Sequence, residues 1–187
     1  TKSTPNCADV TWLFDPAILI DDDGSAYLYF GGGIPGEQYA HPKTARVVKL
    51  KDNMISLDGT PVTIDAPFFF EDSGINKING KYYYSYCLNW NDDVNEKNPA
   101  KANIAYMVSD SPMGPFTYVG TFLQNPGVFF DGLYGNNHHS VIEFKGQCYV
   151  FYHAMYLEKK INGKSNGYRS THVNKVKIND NGTIAQV

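Results

Sequence analysis

Three stretches of the chain share one plan: a polar start, a strand, a turn ending in glycine, and a tyrosine-rich strand. They are "DPAILIDDDGSAYLYF" (15–30), "EDSGINKINGKYYYSY" (71–86) and "NHHSVIEFKGQCYVFY" (137–152). Their turn glycines, Gly24, Gly80 and Gly146, lie 56 and 66 residues apart. Other short apolar or alternating runs lie between and after them: "ARVVKL" (45–50), "NIAYMVSD" (103–110), "FTYVGTFL" (116–123) and "STHVNKVKI" (170–178). Runs of this length, cut by Gly, Pro, Asn and Asp, are strand patterning. The one weak helix candidate, Asn95 to Ala105, is interrupted by Pro99. Hairpins repeated at this period predict an all-β chain of β-propeller blades, each with about four strands. The approximate blades are 15–66, 67–129 and 130–187, after a lead-in over 1–14. A closed ring needs at least about four blades, so the expectation is a partial propeller that is a fragment or completes its sheets by association.

Length and charge narrow the function classes. The 187 residues suffice for one domain with a real core. The net charge of −3 is spread along the chain without a Lys/Arg cluster, so no nucleic-acid or membrane partner is expected. No apolar run is long enough to span a bilayer, and "TKSTPNCADV" does not read as a signal peptide. Cys7, Cys87 and Cys148 are odd in number and form no CxxC pair, which implies neither a zinc site nor a disulfide framework. Cys87 and Cys148 sit in strand-like runs and read as buried thiols. Asn181-Gly182-Thr183 is a sequon, relevant only in a eukaryotic secretory host. The many tyrosines and phenylalanines fill a β core or stack on sugar rings.

The repeats also align polar residues. Asp15, Glu71 and Asn137 each lie nine positions before a turn glycine, and His138 is beside Asn137. The first strand of each blade lines the channel of a propeller. Asp15, Glu71 and the Asn137–His138 pair are therefore expected to meet at one end of it. The alternative for Asp15 is a turn or cap before Pro16, and for Glu71 a solvated strand end. Glu71 follows Phe68, Phe69 and Phe70, a poor setting for an unpaired charge. The adjacent His138 and His139 point to opposite faces of an extended chain; His139 is read as packing or support. Trp90 is either an aromatic wall for sugar or a packed core residue. "DDDG" (21–24) reads as a hairpin turn rather than a calcium loop. "GGG" (31–33) reads as a close backbone approach, and Asp65 and Asp131 as loop residues.

Five segments, "FDPAILIDDDGSAYLYFGGG" (14–33), "FFEDSGINKINGKYYYSY" (69–86), "SDSPMGPF" (109–116), "GNNHHSVIEFKGQCYVFYH" (135–153) and "YRSTHV" (168–173), together resemble glycoside hydrolase family 43, a group of five-bladed propeller enzymes. The wording is most similar to arabinofuranosidase and β-xylosidase members acting on arabinoxylan. The resemblance implies that Glu71 is the general acid and that Asp15 orients it and tunes its pKa. It implies that His138 holds a central cation, usually calcium, on the propeller axis, and that Arg169 contacts the sugar. The general-base Asp of the family lies in a first blade that the matched region does not include.

Inverting glycoside hydrolysis needs an acid and a base with room for water between them. The leading expectation is an inverting glycosidase releasing arabinofuranose, xylose or both from arabinoxylan or its oligosaccharides, with this chain alone poorly active or inactive. An endo-arabinanase of the same fold is a second reading; those members look more like Gly-His-Asn-Ser where this chain has Asn-His-His-Ser. A non-catalytic sugar-binding fragment is a third. A secreted or periplasmic setting is expected over a cytoplasmic one. Open strand edges predict a dimer, strand exchange or a partner that supplies the missing blade.

Overall fold

The computed structural model describes residues 10, 13, 15–33, 40–90 and 101–187. Cys7 and residues 95–100 of the helix candidate lie outside them. Eleven strands form three antiparallel sheets among the described residues. The first holds β1 (Ala17–Ile20), β2 (Ala26–Phe30), β3 (Ala45–Leu50) and β4 (Val62–Ile64) in that order. The second holds β5 (Phe69–Ile78), β6 (Lys81–Leu88), β7 (Ile104–Ser109) and β8 (Thr117–Leu123). The third holds β9 (His139–Phe144), β10 (Gln147–Ala154) and β11 (Ser170–Val176). The all-β blade plan expected from the repeats is what the chain adopts.

Local chemistry sets the hairpins. Asn79 and Gly80 both have positive φ, 50° and 76°, which is the twist-matched two-residue turn that Asn-Gly favours. Ile78 then faces Lys81, and β5 and β6 zip in register from there. Lys145 and Gly146 repeat the geometry between β9 and β10. In "DDDG", Asp21 O accepts from the Gly24 N–H, and the Asp21 side chain accepts from Lys77 Nζ and Tyr82 OH, each at 2.5 Å. That carboxylate latches the first sheet to the second.

The middle sheet explains the tyrosine run. Successive side chains of a strand point to opposite faces. On β6, Tyr82, Tyr84, Tyr86 and Leu88 enter one core with Leu19, Tyr29 and Val47 of the first sheet. Tyr83 and Cys87 enter another with Val141, Val150 and Tyr152 of the third. A sheet packed on both faces has no solvent side, so alternation of polarity disappears and β6 is buried from Tyr82 to Leu88. Cys87 and Cys148 are free, buried thiols.

Two features depart from expectation. The third sheet has three strands. The run from Ile178 makes a single bridge to Ile184, and the Val187 N–H donates to Phe122 O on β8 instead of extending its own sheet. The short strand β4 supplies the fourth strand expected of the first blade. The sequence marked no helix at α1 (Tyr156–Asn162), which is only seven residues long and buries none of them. No helix among the described residues is long and apolar enough to cross a membrane.

Candidate functional site

The inner strands β1, β5 and β9 lie side by side, with β5 in the middle. Their N-terminal ends bring Asp15, Glu71 and His138 together. Asp15 precedes β1, His138 precedes β9, and Glu71 is the third residue of β5. His138 Nε2 lies 3.0 Å from Glu71 Oε1 and 3.9 Å from Asp15 Oδ2. One ligand atom from each of the three residues lies within 4.8 Å of the others. Glu71 therefore stands near the start of a strand but inside its pairing, where it is buried, and is not a solvated strand end.

A break in β5 makes this possible. Phe69 pairs with Leu88 and Glu71 with Cys87, so two steps on β5 oppose one on β6; a second shift follows before Gly74. Such bulges re-aim side chains. Asp72 sits in the second shift with φ of 64°. As a result the neighbouring acids Glu71 and Asp72, which would face opposite ways in a regular strand, both approach His138. Asp72 Oδ1 is 3.8 Å from its Nδ1, and the Asp72 N–H donates to Asp15 Oδ2 at 3.0 Å.

The other residues singled out in the sequence fall elsewhere. Asn137 does not join the acids. It is fully buried, and its Nδ2 donates to Ala102 O (3.0 Å) and Gln124 O (3.4 Å). The member of the pair that meets the acids is His138, one residue on from the aligned position. Trp90 packs its ring on Phe70, with centroids 5.6 Å apart, and Arg169 is exposed ahead of β11. Neither lines the cleft of about 630 Å³ that opens beside Asp15, Asp72 and His138. Arg169 is still close enough for its charge to act on His153, whose ring centroid is 5.9 Å from that of His138. Asp72, Ser85 and His153 are site-forming residues that spacing did not single out for a role, whereas His139 falls in the packing or supporting place expected of it. An Asp beside a Glu was the only signal for Asp72.

The electrostatics separate the two histidines. Burial pulls the His138 pKa down, but the Glu71 contact and the charges of Asp72, Glu71 and Asp15 outweigh it and leave it raised above 6.5. Burial, together with the charges of Arg169 and His138, lowers that of His153. Burial raises Asp15, helped by Glu71 and Asp72 and opposed by His138 and the Asp72 N–H. In an NMR titration of the ring protons, His138 is expected to titrate above 6.5 and His153 below; the reverse order would contradict this account. A raised histidine stabilises the fold fully below its unfolded value, and that contribution is lost as pH rises through its folded value. His138→Gln should therefore flatten the loss of stability on the alkaline side of 6.5, read from urea midpoints.

The 3.0 Å approach of His138 to Glu71 is that of an ion pair without the angles of a hydrogen bond. Glu71 Oε1 and His138 Nε2 are consequently two buried atoms with no hydrogen-bond partner. Two orphaned ligand atoms facing one another, with Asp15 beside them, fit a cation. A hard ion takes mostly oxygen, so His138 could supply one ligand only with carboxylate and water oxygens completing the set.

Residues 3–184 match the family model described as Glycosyl hydrolases family 43. The chain is 57% identical over 191 residues to an arabinoxylan arabinofuranohydrolase of Paenibacillus polymyxa, an alignment covering 100% of this chain and 30% of that protein. It is similar in structure to a glycoside hydrolase family 43 arabinoxylan arabinofuranohydrolase from Bacillus subtilis solved in complex with cellotetraose. The TM-score is 0.88 at 53% identity, covering 100% of this chain and 39% of that one. A family 43 β-xylosidase/α-arabinofuranosidase from a compost microbial metagenome, solved with xylotriose in a calcium-free form, gives a TM-score of 0.69 at 28% identity, covering 95% of this chain and 59% of the other. The chain thus spans well under half the length of the two arabinofuranohydrolases it matches.

Proposed function

Because the chain belongs to glycosyl hydrolases family 43, we propose that it contributes the acid half of an inverting glycosidase that releases arabinofuranose, xylose or both from arabinoxylan-type substrates. Glu71 protonates the leaving oxygen as the bond to the anomeric carbon breaks. Water adds to that carbon from the opposite face and gives its proton to a carboxylate base. The observation that carries this reading is the gathering of Asp15, Glu71 and His138 within 4.8 Å. An acid and a base that admit an attacking water stand roughly 6.5–9.5 Å apart. Asp15 is too close to Glu71 for that task, and its place suits orienting the acid instead. The base then comes from a carboxylate outside this cluster and, following the family pattern, outside these 187 residues.

His138 would hold a calcium ion on the propeller axis, with Asp15 and Glu71 near it. Bound there, the ion would supply fixed positive charge at the end of the channel. Arg169 and Trp90 are proposed sugar contacts, Arg169 from the loop before β11. β1 exposes Ile20 and β9 exposes Ile142 and Phe144, which suits cover by further blades or a second copy.

Product analysis tests the reading. The whole protein is expected to release monomeric arabinofuranose or xylose from arabinoxylan, with inverted anomeric configuration by proton NMR at early times. Oligomers from debranched arabinan, without monomers, would replace it by the endo-arabinanase reading. The 187-residue chain assayed alone is expected to be poorly active or inactive. Ordinary rates from the isolated chain, left intact by Glu71→Gln, would sink the assignment.

A further inference from the structure

His139 opens β9 with its side chain fully enclosed. Its ring Nδ1 lies 2.6 Å from Asp72 Oδ2, and its backbone N–H donates to the same oxygen at 2.9 Å. Its Nε2 lies 2.7 Å from Ser85 Oγ. A carboxylate oxygen accepts, so Nδ1 donates to Asp72, and Nε2 shares a second hydrogen bond with the Ser85 hydroxyl. One ring thus links β5, β6 and β9, and with them the second and third sheets.

Aspartate, histidine and serine in this order are the residue types of a serine nucleophile and its base. Access argues against that use. Ser85 is 3% exposed, and Gly74 lies against it, where even a Cβ would meet Ser85 Oγ at 2.7 Å and His139 Nε2 at 3.1 Å. No substrate reaches the hydroxyl, so the chain of bonds ends its work on Asp72.

Asp72 is where that work matters. It occupies the left-handed region at the bulge, a conformation that persists when the surroundings hold it. Its N–H holds Asp15, its free carboxylate oxygen faces His138, and it adjoins Glu71. We propose that His139, seated by Ser85, is a positioning residue: by clamping Asp72 it fixes the bulge that presents Glu71, Asp15 and His138 to one another. The proposal rests on the reading of Glu71 as general acid.

The test exploits side-chain length. An asparagine amide reaches the place of Nδ1 and can still donate to Asp72; a glutamine amide reaches the place of Nε2 and cannot. The whole protein is assayed on phenyl and dinitrophenyl arabinofuranosides, the second of which needs little help from an acid. His139→Gln is expected to lower kcat on the phenyl substrate on the order of 10- to 100-fold, as small misplacements of reacting groups do, with KM within about threefold. The dinitrophenyl substrate should lose much less, and His139→Asn should recover most of the loss. Equal losses on both substrates, a His139→Asn variant as poor as His139→Gln, or an undiminished His139→Gln would each overturn the clamp. Glu71→Gln, run in parallel, separates the two ideas: if it shows no leaving-group dependence, the acid assignment fails instead. Proton NMR of the 187-residue chain then judges the clamp alone. A far-downfield imidazole N–H resonance is expected in the folded chain and should vanish in Asp72→Asn; its absence from the unmutated chain overturns the proposal whatever the rates.

Discussion

Glu71→Gln is expected to lower kcat on arabinoxylan-derived substrates by roughly 10²–10⁴-fold, the usual contribution of a positioned general acid. That corresponds to about 3–5 kcal/mol of transition-state stabilisation. The amide is close to isosteric, so the bulge and its packing should survive and the melting temperature should move little. What it cannot do is deliver a proton to the leaving oxygen. The loss should therefore be large for a poor leaving group and small for one that departs unaided. Asp15→Asn makes a useful contrast. Its side-chain oxygen can still accept from the Asp72 N–H, a bond now 3.0 Å long, so the geometry is kept while a neighbouring charge is removed. It should cost less than Glu71→Gln and alter the pH profile more than the leaving-group dependence. Equal losses for Glu71→Gln across leaving groups would remove the acid role.

The blades were legible because their signals are local. Asn79-Gly80 and Lys145-Gly146 specify their own turns, and the tyrosines between them need no knowledge of the rest of the chain. The gathering of Asp15, Glu71 and His138 was legible one level up, since a repeat puts equivalent positions around a common axis. That logic is good only to about a residue. It named the Asn137–His138 pair, of which His138 meets the acids while the Asn137 amide satisfies backbone carbonyls of Ala102 and Gln124. Asp72 was not legible because a bulge is a mismatch between two strands, and no single strand carries its signature. His139 was readable as packing or support, but its partners were not, since Asp72 and Ser85 lie 67 and 54 residues away. The helix α1 was invisible because its seven residues are too few for a helical period to stand out.

Phe69→Ala is expected to destabilise the fold by about 3–5 kcal/mol, the range for removing a fully buried aromatic ring. For a domain of this size that is a fall in melting temperature of roughly 10 °C. Phe69 is 0% exposed and packs among Leu19, Tyr29 and Met107, its ring 5.5 Å from that of Tyr86. Less buried apolar residues should matter less. Phe68 is only half-buried and meets Tyr118 edge-on at 6.3 Å, and Ile55, at 88% exposed, should be silent. The informative quantity is kcat per folded molecule. In a regular strand Phe69 and Glu71 would share a face, and emptying the core under one would displace the other. Here the bulge between them leaves Phe69 in the core with Tyr86 and turns Glu71 toward His138. The acid is held from the far side, by Asp72 and its clamp. Phe69→Ala should thus lower stability and leave kcat nearly unchanged, whereas His139→Gln should lower kcat more than its stability loss explains. A Phe69→Ala variant that melts normally but loses its rate would show that the core, and not the bulge, positions the acid.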